Sequence, residues 1–183
     1  MKILTLNNRF NIPAFIAGVI MLYILYSDSP WWFLKAVGEK PTFEAYIAPY
    51  HIQIFILGKP IEAPIIYYAV LSGYLIYLLT GLLCILGSFY PGKGWSKSLV
   101  GYKGLIIPLA TIITIYISLY AIRSYMNIDI LLIGKGIIRF NLSYDSNIIR
   151  TSTEYVAGFT YTFYLALIAG VLSLIGRLSI KTE

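Results

Sequence analysis

The chain has 183 residues, 58% of them hydrophobic and 12% charged, whereas soluble domains run near half apolar and about a quarter charged. Water is therefore not its main solvent. A formal charge of +6 would suit a nucleic-acid binder only if Lys and Arg clustered on a solvated face with a readout surface, and no such cluster stands in the sequence. Cys84 is the single cysteine and lies in an apolar run, so an intramolecular disulfide is excluded.

A bilayer core of about 30 Å asks for roughly 17 to 25 apolar residues per helix. Four charge-free stretches answer that demand, at about 12–27, 65–89, 105–122 and 155–176. Asn11 is a candidate N-cap for the first and Pro13 falls in its first turn, where a missing N–H costs nothing. Lys2 and Arg9 ahead of an apolar core also fit a cleaved signal peptide. However, the following Ser27-Asp28-Ser29-Pro30-Trp31-Trp32 lacks the paired small residues of a cleavage site, which favours a retained helix. The second stretch follows Pro64 and stops before Pro91-Gly92, the third follows Gly104, and the fourth ends at Gly176-Arg177. Ser29, Pro30 and Gly38 read as the cap, first turn and stop of a short interfacial helix carrying Trp31 and Trp32 at headgroup depth.

The loops differ in charge. Residues 1–11, 91–104 and 177–183 hold Lys2, Arg9, Lys93, Lys97, Lys103, Arg177 and Lys181 against the single acid Glu183, while the outer loops 28–64 and 123–154 are balanced. The positive-inside rule then predicts a multi-pass cell-membrane protein with both termini in the cytoplasm. Asn141-Leu142-Ser143, a possible glycosylation sequon at Asn141, falls outside in that orientation.

Helices in lipid approach closely through small side chains. Columns at spacing four occur at Ala14 and Gly18, at Ala69 and Gly73, at Ala110, Thr114 and Ser118, and at Gly158, Thr162, Ala166 and Gly170. The last is the longest, so the fourth helix is the expected central contact. None of the spans carries Asp, Glu, Lys, Arg or His, which argues against a proton-coupled transporter; His51 is the only histidine, which argues against a bis-histidine haem. No metal, cofactor or catalytic side chain is expected. Tyr23, Tyr26, Tyr67, Tyr68, Tyr120, Tyr155, Phe159, Tyr161, Phe163 and Tyr164 read mainly as an interfacial aromatic belt, with a groove for a quinone or lipid headgroup as the sharper alternative.

The outer loops alternate with strand periodicity. Tyr50, Ile52, Ile54 and Ile56 interleave with His51, Gln53, Phe55 and Leu57; Ile128, Ile130 and Leu132 do so in the second loop. Gly58-Lys59 and Gly134-Lys135-Gly136 are the expected turns, the latter leading into 137–144 as a hairpin. At an offset of 76 the segments beginning at His51 and Asn127 share two isoleucines, the Gly-Lys pair and the isoleucine after it, which suggests a repeated strand-turn unit. The fold expected is an all-α membrane four-helix bundle with a small extracellular β-sheet built from the two outer loops. That outline resembles the claudin architecture, although the paired cysteines of the claudin first loop are missing and the likeness is topological only.

These observations support a non-catalytic accessory or structural subunit of a larger membrane complex. Its expected partners are the lipid bilayer and other membrane subunits or a second copy of itself, met through the sheet and a small-residue helix face. One alternative is a quinone- or lipid-binding subunit of a respiratory or sulfur-oxidising oxidoreductase. Another is a homo-oligomeric pore lined by Thr111, Thr114 and Ser118.

Overall fold

The structure, a computed structural model, describes residues 10–37, 42–144 and 147–180; the side chains of residue 126 and residues 139–151 lie outside that description. Four long helices, α1 (Ile12–Ser27), α2 (Pro64–Phe89), α4 (Lys103–Met126) and α5 (Tyr161–Ser179), accompany the single turn α3 (Ser96–Leu99). Three helical stretches, Pro64–Phe89, Ser96–Tyr125 and Tyr161–Ser179, are long and apolar enough to cross a membrane. α1 is apolar but has only 16 residues, which rise about 24 Å at roughly 1.5 Å each.

Asn11 explains why α1 begins where it does. Its Oδ1 accepts from the Ala14 N–H at 3.2 Å, capping the helix. Its Nδ2 donates to the Gly176 carbonyl at 2.7 Å and its own N–H donates to the Ser88 carbonyl at 2.9 Å. One residue thus ties the start of α1 to the ends of α5 and α2.

The main helix contacts join α2 to α1, α1 to α5 and α5 to α4, while α2 and α4 meet in fewer places. Each main crossing is closed by backbone against backbone. An added Cβ on Gly18 would stand 2.7 Å from the Gly81 carbonyl oxygen, one on Gly176 would stand 2.9 Å from the Ala14 nitrogen, and one on Gly170 would stand 2.7 Å from the Leu105 Cα. The outer members are left bare: 39% of the apolar window of α5 is buried, against 22% in α2 and 17% in the stretch holding α4.

Strands β1 (Trp32–Val37), β2 (Phe43–Ala48), β3 (His51–Ile56), β4 (Lys59–Pro60), β5 (Gly134–Tyr144) and β6 (Asn147–Phe159) make one antiparallel sheet. Its order is β4-β3-β2-β1-β6-β5, so the two loops join where β1 pairs with β6. All four long helices have one end toward this sheet, and the α2–α4 connection lies at the other.

Several local expectations give way here. The segment after Ser29 is strand β1, not an interfacial helix. Trp32, Leu34 and Ala36 are buried in alternation with less buried neighbours, and β2 and β6 supply pairing partners on both sides that a local reading cannot see. Gly38 lies outside the described residues. The fourth helix starts at Tyr161, six residues later than expected, because 155–159 continue β6 and bury Tyr155 and Ala157 at alternate positions. Gly134, Lys135 and Gly136 open β5 instead of forming a turn, and the hairpin closes at the Tyr144–Asn147 pair.

The proposed repeat fails for a related reason. His51 onward is a strand followed by a two-residue turn, whereas residues 127–133 join no ladder. Their backbone groups are met by side chains: the Leu131 N–H donates to Tyr155 Oη at 2.8 Å, and the Leu132 carbonyl accepts from Trp32 Nε1 at 2.7 Å. Ile128, Ile130 and Leu132 do face one way, packed with Ile115, Leu119, Ile138 and Ala157. Alternation was legible there; a partner strand was not.

Candidate functional site

Two surfaces merit attention, beginning with the junction between sheet and inner helices. Trp31, fully buried, packs edge-on to Tyr50, Tyr77 and Phe163 with ring centres 5.9, 5.5 and 6.0 Å away. This cluster sits above Met21, Ile24, Ala166 and Ala169 and closes the inner helices from above. Thr160 and Thr162 at the start of α5 hold the incoming strand: the Thr162 hydroxyl donates to the Pro30 carbonyl at 3.0 Å, and the Thr160 N–H donates to the Trp31 carbonyl at 2.9 Å. Tyr50 Oη donates to the Ser29 carbonyl at 3.1 Å, and burial pushes its phenol well above the usual tyrosine range. Trp31 Nε1 and Tyr77 Oη are buried with no hydrogen-bond partner among the described residues.

Gly73 belongs to this junction and not to a helix–helix face. A Cβ there would stand 1.8 Å from the Pro49 carbonyl oxygen, so the missing side chain lets the β2–β3 turn abut α2. Next to that turn His51 Nδ1 lies 3.2 Å from Asp28 Oδ1, a pairing across the end of α1 that the sequence reading missed. Asp28 follows the α1 terminus in the left-handed conformation, φ 45°, and a polar residue at a helix stop is a signal that could have suggested it.

The second surface is the outer flank. Along α2 from Pro64 to Ile76, Ile65, Tyr67 and Tyr68 are 77%, 65% and 67% exposed, whereas Tyr77, Thr80, Gly81 and Cys84 further on are buried. Between this bare half and strands β3 and β4 runs a groove of about 670 Å³, lined chiefly by Ile52, Ile54, Pro60, Ile66, Tyr67 and Val70, with Gln53 and Glu62 as its polar groups. The neighbouring turn has Leu57 at φ 51° and Gly58 at φ 75°, closed by the Ile56–Lys59 pair. Both residues are left-handed, as a two-residue primed turn requires, and only glycine adopts that region freely.

The sequence-derived residues divide between these places. Thr162, Ala166 and Gly170 line the buried side of α5, whereas Gly158 is in β6 with Phe33 of β1 opposite it. Ala69 faces outward, as do Ala110, Thr114 and Ser118. Ser118 and Thr111 hydroxyls donate into their own helix, to Thr114 and Ile107 carbonyls at 2.9 Å. Gly58 sits in the β3–β4 turn with Leu57, whereas Lys59, expected in the turn, is the first residue of β4 and pairs with Ile56; Asn141 pairs with Arg150 in the β5–β6 ladder, its side chain outside the described residues. Of the aromatic set, Tyr23, Tyr26, Tyr67, Tyr68, Tyr120, Tyr161 and Tyr164 are exposed, but Tyr155 and Phe163 are core residues.

Cys84 Sγ lies 3.4 Å from Ser173 Oγ and is buried. Among the described residues no three His, Cys, Asp or Glu side chains converge as a metal site would need. No protein-family model matches the chain, and no curated protein matches it.

Proposed function

We propose that this chain is a non-catalytic, multi-pass subunit of a larger membrane assembly, with both termini cytoplasmic and the sheet outside. The carrying observation is the asymmetry of α2, whose first half leaves Ile65, Tyr67 and Tyr68 strongly exposed beside an apolar groove, while its second half buries one face at Tyr77, Thr80, Gly81, Cys84, Gly87 and Ser88. The partner this flank fits is a spanning helix of another subunit, laid along Ala69 and Ser72, with an extended segment entering the groove against β4. Small residues permit close approach of two helices, and the apolar groove wall of Ile52, Ile54 and Val70 would take the side chains of the segment, since Pro60 offers no N–H at the β4 edge.

Isolation of the tagged protein from its native membranes in mild detergent tests this. Defined partner chains are expected, and Ala69→Leu with Ser72→Leu should release them while the protein's own thermal unfolding stays unchanged. Recovery of the wild type as a lone chain would end the proposal. The orientation has its own test: cysteine placed at Lys135 should react with an impermeant reagent in intact cells and cysteine at Lys97 should not. The reverse pattern would invert the topology.

A second reading is favoured by the size of the groove, since about 670 Å³ with Gln53, Glu62 and Tyr67 at its wall lies in the range of small-ligand sites. A quinone or lipid retained through the same purification, and lost in Tyr67→Ala, would support that reading over the first.

A further inference from the structure

A separate cavity of about 280 Å³ opens at the end of the molecule opposite the sheet, between the α2–α4 connection and the last turn of α5. Its charged lining is Lys97, Lys103 and Arg177, beside Ser98, Gly101 and Tyr102. Among the described residues the carboxylates Asp28, Glu44, Glu62, Asp129 and Glu154 all belong to the sheet side, and so do the ion pairs, Lys35–Glu44, His51–Asp28 and Arg123–Asp129. The cavity therefore gathers three cations with no described acid to balance them.

The site is built, not merely basic. The Arg177 guanidinium carbon lies 4.8 Å from the centre of the Tyr102 ring, an arrangement that fixes a planar cation without a carboxylate. Arg177 also crosses over Gly101, where an added Cβ would come within 2.7 Å of its Cδ. Gly101 is bound in turn to α5, its N–H donating to Ser173 Oγ at 3.2 Å and its carbonyl accepting from the same hydroxyl at 2.8 Å. The wall is thus rigid where the cation sits. α4 begins at this wall with Lys103, with no side-chain cap and no acid in its first turn. A lysine at the positive end of a 24-residue helix opposes the helix dipole, and an anion between them relieves both.

We propose that this cavity binds a phosphate-bearing anion, chiefly the phosphodiester of an acidic membrane lipid. Arg177 would meet the phosphate oxygens with its planar fork, and Lys97 and Lys103 would supply mobile charge. A lipid is favoured over free phosphate because α2 and α5 end, and α4 begins, around the cavity, which is headgroup depth if these helices span a bilayer. The lipid source rests on the membrane reading above but not on the subunit reading.

The test uses the full-length protein in nanodiscs of phosphatidylcholine containing a minority of phosphatidylglycerol, with lipid retained after detergent transfer counted by native mass spectrometry. The wild type should retain phosphatidylglycerol roughly tenfold over its share, as a cluster of cations at headgroup depth attracts an anionic lipid. Lys97→Gln with Lys103→Gln, which leaves the Arg177–Tyr102 packing intact, should remove most of that preference, and Arg177→Lys should retain part of it. Lys59→Gln with Lys135→Gln, at the sheet end, should leave it unchanged. Inorganic phosphate added to discs of phosphatidylcholine alone identifies the other source. A rise in thermal midpoint over chloride at equal ionic strength, lost in the Lys97/Lys103 variant and without any lipid preference, would support the site with free phosphate as its ligand. Equal lipid retention by wild type and that variant, with no response to phosphate, would overturn the proposal, as would an equal loss in the sheet-end control. Discs present both leaflets, so an inverted topology would not affect the result, and partner recovery from native membranes is measured separately.

Discussion

The inner helices α1 and α5 and the outer helices α2 and α4 are built from similar material and end in different environments. All are apolar and all carry small residues at helical spacing. In the inner pair those residues are buried at crossings where backbones touch, at Gly18, Gly170 and Gly176. In α4 the column Ala110, Thr114 and Ser118 faces away from the protein, and in α2 so does Ala69. A small-residue column marks a face able to approach another helix. Which face is used inside the chain is decided by connectivity and by where the sheet pulls each helix end.

The largest effect that would break this contrast is at the α5–α4 crossing. Gly170→Leu would place a side chain where a Cβ already meets the Leu105 Cα at 2.7 Å. A loss of about 3 kcal/mol or more is expected, at the upper end of overpacking costs. Ala110→Leu on the bare face should change stability by no more than about 0.5 kcal/mol. Thermal unfolding in detergent measures both, and similar losses would mean that the outer face is packed after all.

Trp31→Ala tests the junction that joins the sheet to the inner helices, with an expected loss of roughly 3 kcal/mol for an emptied aromatic site. The contribution should be lower than for an ideally bonded tryptophan, because Nε1 has no described partner. Amide exchange should rise together in β1 and the first turn of α5, since Thr160 and Thr162 hold both to the same carbonyls. Exchange confined to β1 would show that the junction is not shared.

Tyr50 sharpens the contrast through pH. Its folded-state pKa is raised by burial, so the native phenol keeps its proton where the unfolded chain, near pH 10, loses it. Stability linked to this group is complete below about pH 10 and falls as pH rises beyond it. The wild type should therefore lose thermal midpoint between about pH 9.5 and 11 more steeply than Tyr50→Phe. Equal slopes would place the ring in water. At the outer flank, Leu57→Asn should give the smallest effect, a gain of about 0.5 kcal/mol, because asparagine tolerates the left-handed turn position that leucine occupies at φ 51°. A loss would show that the exposed Leu57 side chain contributes more than its backbone strain costs.

How much of this was readable beforehand depended on how local the cause was. The apolar runs, the Asn11 cap, the proline and glycine stops and the segregation of Lys and Arg are properties of consecutive residues, and α1 and α2 fall within a residue of where those signals put them. Strand alternation in both long loops was likewise visible, because side-chain direction alternates whether or not a ladder forms. Pairing was not. Nothing in Trp32–Val37 names β6, over a hundred residues away, as its neighbour, and without that neighbour Ser29-Pro30 looks like the start of a helix. Tyr155–Phe159 could not be told from the first turn of α5 for the same reason, since a short apolar run fits either period.

The basic cavity was hidden in another way. In the sequence Lys97, Lys103 and Arg177 are only part of an uneven distribution of basic residues, whereas the fold returns the end of α5 to the α2–α4 connection and stacks Arg177 on Tyr102. Sequence by itself determined the long apolar helical runs, the start of α1 and the uneven distribution of charge, because hydrophobicity, capping and net charge act through the chain's own neighbours. Tertiary structure alone decided which helices pack together, the strand order and the grouping of three cations in one cavity, because each depends on contacts between residues far apart in the chain.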